Sequence, residues 1–187
     1  GEAMAILTGD ALLALAFEVV ARDVKPPQVA AACCAMLAEA AGACRLVGGQ
    51  ADDLAAEQAP ASIELLEAIH RRKTGAMISV SLRLGATVAG ADGAQTAALE
   101  TYGEKLGLAF QITDDLLDVR GEEAEMGKRV GKDAQRGKLT FPGLLGIEES
   151  ARRAEQLVLD ACQALRPLGD RASRLNALAR YVLERNH

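Results

Sequence analysis

Apolar residues recur at helical spacing along almost the whole chain, and no stretch shows the strict in-and-out alternation of a half-buried strand. A first apolar run covers about 3–22 and stops before Lys25-Pro26-Pro27. Pro27 can open the next helix, because its missing N–H would have no partner there anyway. That helix is expected to run through 30–46 to Gly48-Gly49, with a link over 51–61. Ser62 then stands where an N-cap belongs, ahead of Ile63, Leu66 and Ile69 on one face. The run continues to about Val88, interrupted or kinked at 73–77, where Gly75 costs about 1 kcal/mol relative to Ala in a helix interior. Gly90 and Gly93 punctuate before a long helix in which Leu99, Tyr102, Leu106, Ala109 and Phe110 share helical spacing. Thr140 can cap a further helix with Pro142 in its first turn, and Gly169 separates a last helix over 171–185. The pattern predicts one all-α domain over 1–187, of roughly seven helices, without repeats or linkers.

Composition sharpens this. Half of the 187 residues are hydrophobic but only 3% are aromatic, which suits closely packed helices better than a sheet. A net charge of −5 without a broad basic face, and few aromatic platforms, argue against nucleic acid as a partner. Cys33, Cys34, Cys44 and Cys162 lack C-x-x-C spacing, so reduced thiols in a cytoplasmic setting are expected rather than zinc. The opening apolar run has no basic leader and is interrupted by Asp10 and Glu18, so it reads as a core helix and not as a membrane span or signal.

The chemistry concentrates in 110–142. Asp114 and Asp118 lie one helical turn apart on one face, with Asp115 rotated by about 100° and able only to flank them. Gln111 precedes Asp114 by three positions and projects on the same side. Carboxylates are hard ligands suited to Mg²⁺, which takes one or two of them and completes its shell with waters and substrate phosphates. Between Met126 and the end of the following loop stand Lys128, Arg129, Lys132, Arg136 and Lys138, five cations against the single acid Asp133. Acids on a helix face are commonly solvated surface. Here the apolar run before them, and Leu116, Leu117 and Val119 among them, favour a pocket. Lys73 and the Thr74 hydroxyl, beside Gly75, are further donors suited to phosphate oxygens. His70 reads as a packed structural residue, and no G-x-x-x-x-G-K-[ST] loop supports nucleotide chemistry.

Four segments, GDALLALAFE (9–18), GGQADDL (48–54), KTGAMI (73–78) and FQITDDLLDVRG…MGKRVGKD…GKLTFP (110–142), resemble the trans-isoprenyl diphosphate synthases, the family of farnesyl and geranylgeranyl diphosphate synthases. The resemblance covers essentially the whole chain. It implies an isoprenoid-synthase-type helical bundle around a central cavity, represented by its C-terminal portion. The family's first aspartate-rich motif, with the arginines and histidine that bind the homoallylic substrate, is not among these residues. The implied activity is Mg²⁺-assisted ionisation of an allylic diphosphate and its condensation with isopentenyl diphosphate, in a homodimer. By the same resemblance Asp114, Asp118 and Asp115 are metal-directed, and Lys73, Thr74, Gln111, Lys128 and Lys138 bind substrate, the lysines also assisting catalysis. The competing readings are a non-catalytic partner subunit, a terpene cyclase or head-to-head synthase, and a plain all-α domain with a charged surface.

Overall fold

A computed structural model describes the backbone of residues 1–126 and 139–185, with side chains for 1–119 and 139–185. Its regular elements are all helical: α1 (Glu2–Asp23), α2 (Pro27–Ala41), α3 (Leu46–Ala56), α4 (Ile63–His70), α5 (Ala76–Val88), α6 (Gly93–Met126), α7 (Phe141–Leu145), α8 (Ile147–Ala164) and α9 (Ser173–Glu184). A π-helical turn, Arg71–Gly75, joins α4 to α5, and a 3₁₀ segment, Arg166–Ala172, precedes α9.

The punctuation read from the sequence acts as expected. The Ser62 hydroxyl accepts from the Leu65 N–H at 3.2 Å, and that of Thr140 from the Gly143 N–H at 3.2 Å. Asp92 and Gln95 bond reciprocally to each other's backbone N–H and close the start of α6. Gly169 turns the chain before α9 at φ 57°, a conformation that a side chain would oppose.

The long helix α6 is the axis of the fold. One face packs Leu99, Tyr102, Leu106 and Ala109 against Val158 and Ala161 of α8, Leu165 just after it, and Ala179 and Val182 of α9. Further along, Leu108, Ile112 and Leu116 meet Leu66 of α4, Phe141 of α7 and Ala154 of α8. The buried Tyr102 hydroxyl donates to the Leu175 carbonyl at 2.8 Å and fastens α6 to α9.

On its other side α6 meets the π-turn backbone to backbone. A Cβ on Gly107 would stand 2.9 Å from the Cα of Gly75, and one on Gly103 would stand 2.8 Å from Leu82 Cδ1. Helix propensity alone would gain about 1 kcal/mol from Gly→Ala. Overpacking against backbone costs about 1–3 kcal/mol and wins at Gly107. Gly107→Ala is therefore expected to lower the melting temperature by several degrees. Gly85→Ala, in α5 with no atom within 4 Å of its new Cβ, should leave it level or raise it. Equal melting shifts in the two variants would contradict this packing.

Two regions differ from the sequence reading. The helix expected to continue through 30–46 ends at Ala41, and α3 covers most of the expected 51–61 link. The cause is tertiary: at the break the Arg72 guanidinium donates to the Cys44 carbonyl at 2.9 Å and the Ala43 carbonyl at 3.2 Å. Those carbonyls would otherwise have been satisfied within a helix. The other difference is α1. Its apolar sequence predicts a core helix, yet none of its residues is buried, and Met4, Ile6, Leu7 and Leu12 are all largely exposed. By length and composition α1 and the stretch Pro27–Ala56 are apolar enough to cross a membrane, although the second is interrupted between α2 and α3.

Candidate active site

The π-turn, α3 and the second half of α6 together build a cleft of about 330 Å³. Asp53, His70, Lys73, Thr74, Gln111, Asp114, Asp115, Leu117, Asp118 and Leu139 line it. Inserting one extra residue per turn, as a π-turn does, re-aims the side chains beyond it. Here it presents both Lys73 and Thr74 to the cleft, Thr74 meeting α6 and Lys73 meeting α3. The turn is held from two sides by glycines: Gly107 of α6 lies under Gly75, and a Cβ on Gly49 of α3 would stand 2.9 Å from the Lys73 backbone nitrogen. With Gly48-Gly49 letting α3 approach this closely, its next acids reach the cations of the turn. Asp53 accepts from Lys73 Nζ at 2.8 Å, and Asp52 pairs with Arg72.

A connected hydrogen-bond chain crosses the cleft. The Thr74 hydroxyl donates to Gln111 Oε1 at 3.2 Å, and Gln111 Nε2 donates to Asp114 Oδ2 at 3.1 Å. The other Asp114 oxygen, Oδ1, accepts from Arg185 Nη2 at 2.6 Å. Asp114 and Asp118 thus line the same cleft, as their spacing predicts, with Asp118 the more exposed.

Asp115 lines the same cleft but is more deeply buried. It is only 4% exposed, and its Oδ2 accepts from the Phe141 N–H at 2.9 Å, at the start of α7. His70 is buried beside it, Nε2 at 4.0 Å from Asp115 Oδ2, with its ring stacked on Phe141 at 5.7 Å. The rotation away from Asp114 and Asp118 is as expected. Asp115 in addition bonds the backbone of Phe141, which joins the cleft to the start of α7. His70 is likewise part of the packing there. Glu67 of α4 adds to this corner by pairing with both Arg71 and Arg153.

Lys128 and Lys138, with Arg129, Lys132, Asp133 and Arg136, lie outside the described residues. Leu139, the residue after that basic segment, lines the cleft. The sequence reading missed three members of the site: Asp53, Asp52 and Arg185. Asp52 and Asp53 belong to the GGQADDL segment, but to a part of it whose pattern reads as the start of a link. Arg185 had no local signal, since its partners Thr113 and Asp114 lie 72 and 71 positions earlier.

Among the described residues no group of three or more acidic, histidine or cysteine side chains is disposed to hold a metal by itself. The donor set still fits Mg²⁺. Two hard carboxylates, Asp114 and Asp118, open on one cleft, which matches an ion that takes one or two protein carboxylates and relies on phosphate oxygens for the rest. The four cysteines are free thiols, with Cys33 buried.

An all-α bundle with an aspartate-bearing helix against a lysine-bearing π-turn defines the class, and the comparisons agree. The polyprenyl synthetase family model matches residues 1–172, and the chain belongs to that family. It is 46% identical over 194 positions to the farnesyl diphosphate synthase of Escherichia coli K12, covering 100% of this chain and 64% of that protein. It is 40% identical over 190 positions to the geranylgeranyl diphosphate synthase of Cyanophora paradoxa, covering 100% and 63%. An FPP/GFPP synthase from Zymomonas mobilis superposes with a TM-score of 0.80 at 37% identity, over 96% of this chain and 61% of that one. The chain therefore spans somewhat under two thirds of the length of these relatives, and its fold is that of the isoprenyl diphosphate synthases.

Proposed function

We propose that this chain carries the allylic-diphosphate side of a Mg²⁺-dependent prenyltransferase of isoprenoid biosynthesis. The enzyme would join an allylic diphosphate (dimethylallyl, geranyl or farnesyl) to isopentenyl diphosphate. The observation that carries the reading is the convergence of Lys73, Thr74, Gln111, Asp114 and Asp118 on one cleft from two separate elements. The relatives' names supply the substrate class.

In this reading the allylic C–O bond breaks with its electron pair on the diphosphate. The double bond of isopentenyl diphosphate then attacks the cation, a C–C bond forms, and the departing diphosphate takes up the proton. Lys73, with Lys128 and Lys138 from the basic segment, places positive charge where the leaving group gains negative charge. Thr74 and Gln111 orient the cleft's polar edge, while Leu117 and Leu139 supply apolar wall that keeps water from the cation. Bound at Asp114 and Asp118, a divalent cation would add Lewis-acid stabilisation of the leaving group. Asp115 acts through position, by anchoring Phe141.

We take the 187 residues as one domain, the C-terminal part of a cytoplasmic homodimer. The largely exposed apolar α1, which packs on the rest of the chain only through residues such as Ala16 and Phe17, supports a protein partner on that helix, and Asp10 and Glu18 within it oppose a lipid one. The assembled cleft favours catalysis over a non-catalytic partner subunit. A radiolabelled elongation assay with dimethylallyl and isopentenyl diphosphates, run on residues 1–187 beside the full-length protein, tests the proposal. Incorporation is expected with the full-length protein, dependent on divalent cation, and little or none with 1–187. Robust turnover by 1–187 would show that no upstream motif is needed. Failure of the full-length protein with every allylic substrate would overturn the assignment.

A further inference from the structure

We propose that Arg185, at the C-terminal end of α9, is the positioning residue of Asp114, holding that carboxylate in the orientation in which it takes up a divalent cation. The inference rests on the reading of Asp114 as metal-directed. Arg185 Nη2 meets Asp114 Oδ1 at 2.6 Å, while Gln111 Nε2 meets Oδ2 at 3.1 Å. The two carboxylate oxygens are thus held from opposite ends, which fixes both the rotamer and the plane of the group. An ionised carboxylate offers about four acceptor sites. Two hydrogen bonds leave the others available to the cleft that Asp114 lines.

A cation so close to the carboxylate has an obvious contrary role, that of a competitor which the metal must displace. The surroundings of Arg185 argue against it. The same Nη2 donates to Thr113 Oγ1 at 2.9 Å and to the Phe110 carbonyl at 3.1 Å, and the guanidinium lies 4.0 Å above the centroid of the Phe110 ring. All these partners belong to α6, the helix that carries Asp114. A guanidinium stacked on a ring, with one nitrogen set among three acceptors of the same helix, is built to stay in place. A displaceable counter-ion would need only the ion pair. The residue is also favourably placed at a helix C-terminus, where the backbone carbonyls attract positive charge. Groups that orient a metal-binding carboxylate typically change metal affinity about 10–100-fold when removed.

The test is Mn²⁺ binding in the presence of inorganic diphosphate, followed by electron paramagnetic resonance on the full-length protein. The variants are Arg185→Met, Arg185→Lys and Asp114→Asn, each with its melting temperature. Arg185→Met should weaken Mn²⁺ binding by roughly 10-fold or more. Arg185→Lys, which keeps the charge but loses the flat face stacked on Phe110, should recover only part. Tighter Mn²⁺ binding in Arg185→Met would overturn the proposal in favour of competition. A lowered melting temperature with unchanged Mn²⁺ affinity would reduce Arg185 to a structural tie. Asp114→Asn separates the two levels of the argument. If it leaves Mn²⁺ binding intact, the metal reading of Asp114 fails. If it abolishes binding while Arg185→Met does not, only the role of Arg185 fails.

Discussion

In the full-length protein, Asp114→Asn is expected to lower kcat/KM by about 10²-fold, and Asp115→Asn to lower it far less while costing more stability. The two residues are adjacent in sequence and of the same type, so the contrast isolates geometry. Asp114 lines the cleft, and its negative charge is the part that a divalent cation would use. Replacing it by an amide keeps the size but removes the charge, and since the amide has one acceptor oxygen it retains only one of the two bonds accepted from Gln111 and Arg185. Loss of one group that stabilises developing charge is worth about 3 kcal/mol by analogy with an oxyanion-hole donor, or roughly 10² in rate. Asp115 borders the same cleft, but at 4% exposure it is buried and accepts the Phe141 N–H. An asparagine there can still accept through its carbonyl, so the backbone bond survives in weakened, uncharged form. Hydrogen bonds to charged groups contribute about 1.5–3 kcal/mol against about 1 for neutral ones. A stability loss of about 1 kcal/mol is the consequence. Steady-state kinetics beside thermal melts decide it, and equal rate losses at the two positions would mean that the site is oriented differently.

How far the sequence is legible depends on the range of the interactions involved. The caps at Ser62 and Thr140 are local contacts between residues three apart, and each is readable from its own few residues. The core face of α6 is a periodicity, and Leu99, Tyr102, Leu106 and Ala109 are all buried where that periodicity puts them. The interruption at Lys73-Thr74-Gly75 is also legible as a break, though not as the π-turn it is. Breaks caused by distant partners are not legible. Arg72 takes the Ala43 and Cys44 carbonyls from 29 and 28 positions away, so α2 ends sooner than its composition demands. The same limit hides Arg185, whose role exists only once α9 has packed on α6. Glycines mislead in the opposite direction. Gly48-Gly49 looks like a stop, yet in α3 it serves close approach, letting the helix rest on the backbone of Lys73. Residue type alone does not distinguish a glycine that ends a helix from one that admits a neighbour.

Lys73→Ala should cost between about 10- and 10²-fold in kcat/KM for the allylic substrate, the scale of one charge-assisted bond of about 1.5–3 kcal/mol to a phosphate oxygen. Lys73 is placed for that by two constraints. The π-turn aims it at the cleft, and Asp53 holds its ammonium group at 2.8 Å. Both side chains of that pair keep about a quarter of their exposure, so the ammonium group is oriented without being sealed off. A carboxylate on a substrate-binding lysine fixes its direction but also draws on its charge, and the net effect of Asp53 is a matter of which wins. The lysine stem is flexible and costs about 2 kcal/mol of rotamer freedom to immobilise. Having that cost already met in the free protein favours binding, so Asp53→Asn should weaken it. A double-mutant cycle makes the argument testable. If Asp53 acts through Lys73, then Asp53→Asn lowers kcat/KM in the wild-type background and has almost no further effect once Lys73 is alanine. Losses that simply add would show that Asp53 touches the substrate or its metal independently, and the pairing across α3 and the π-turn would then be incidental to the chemistry.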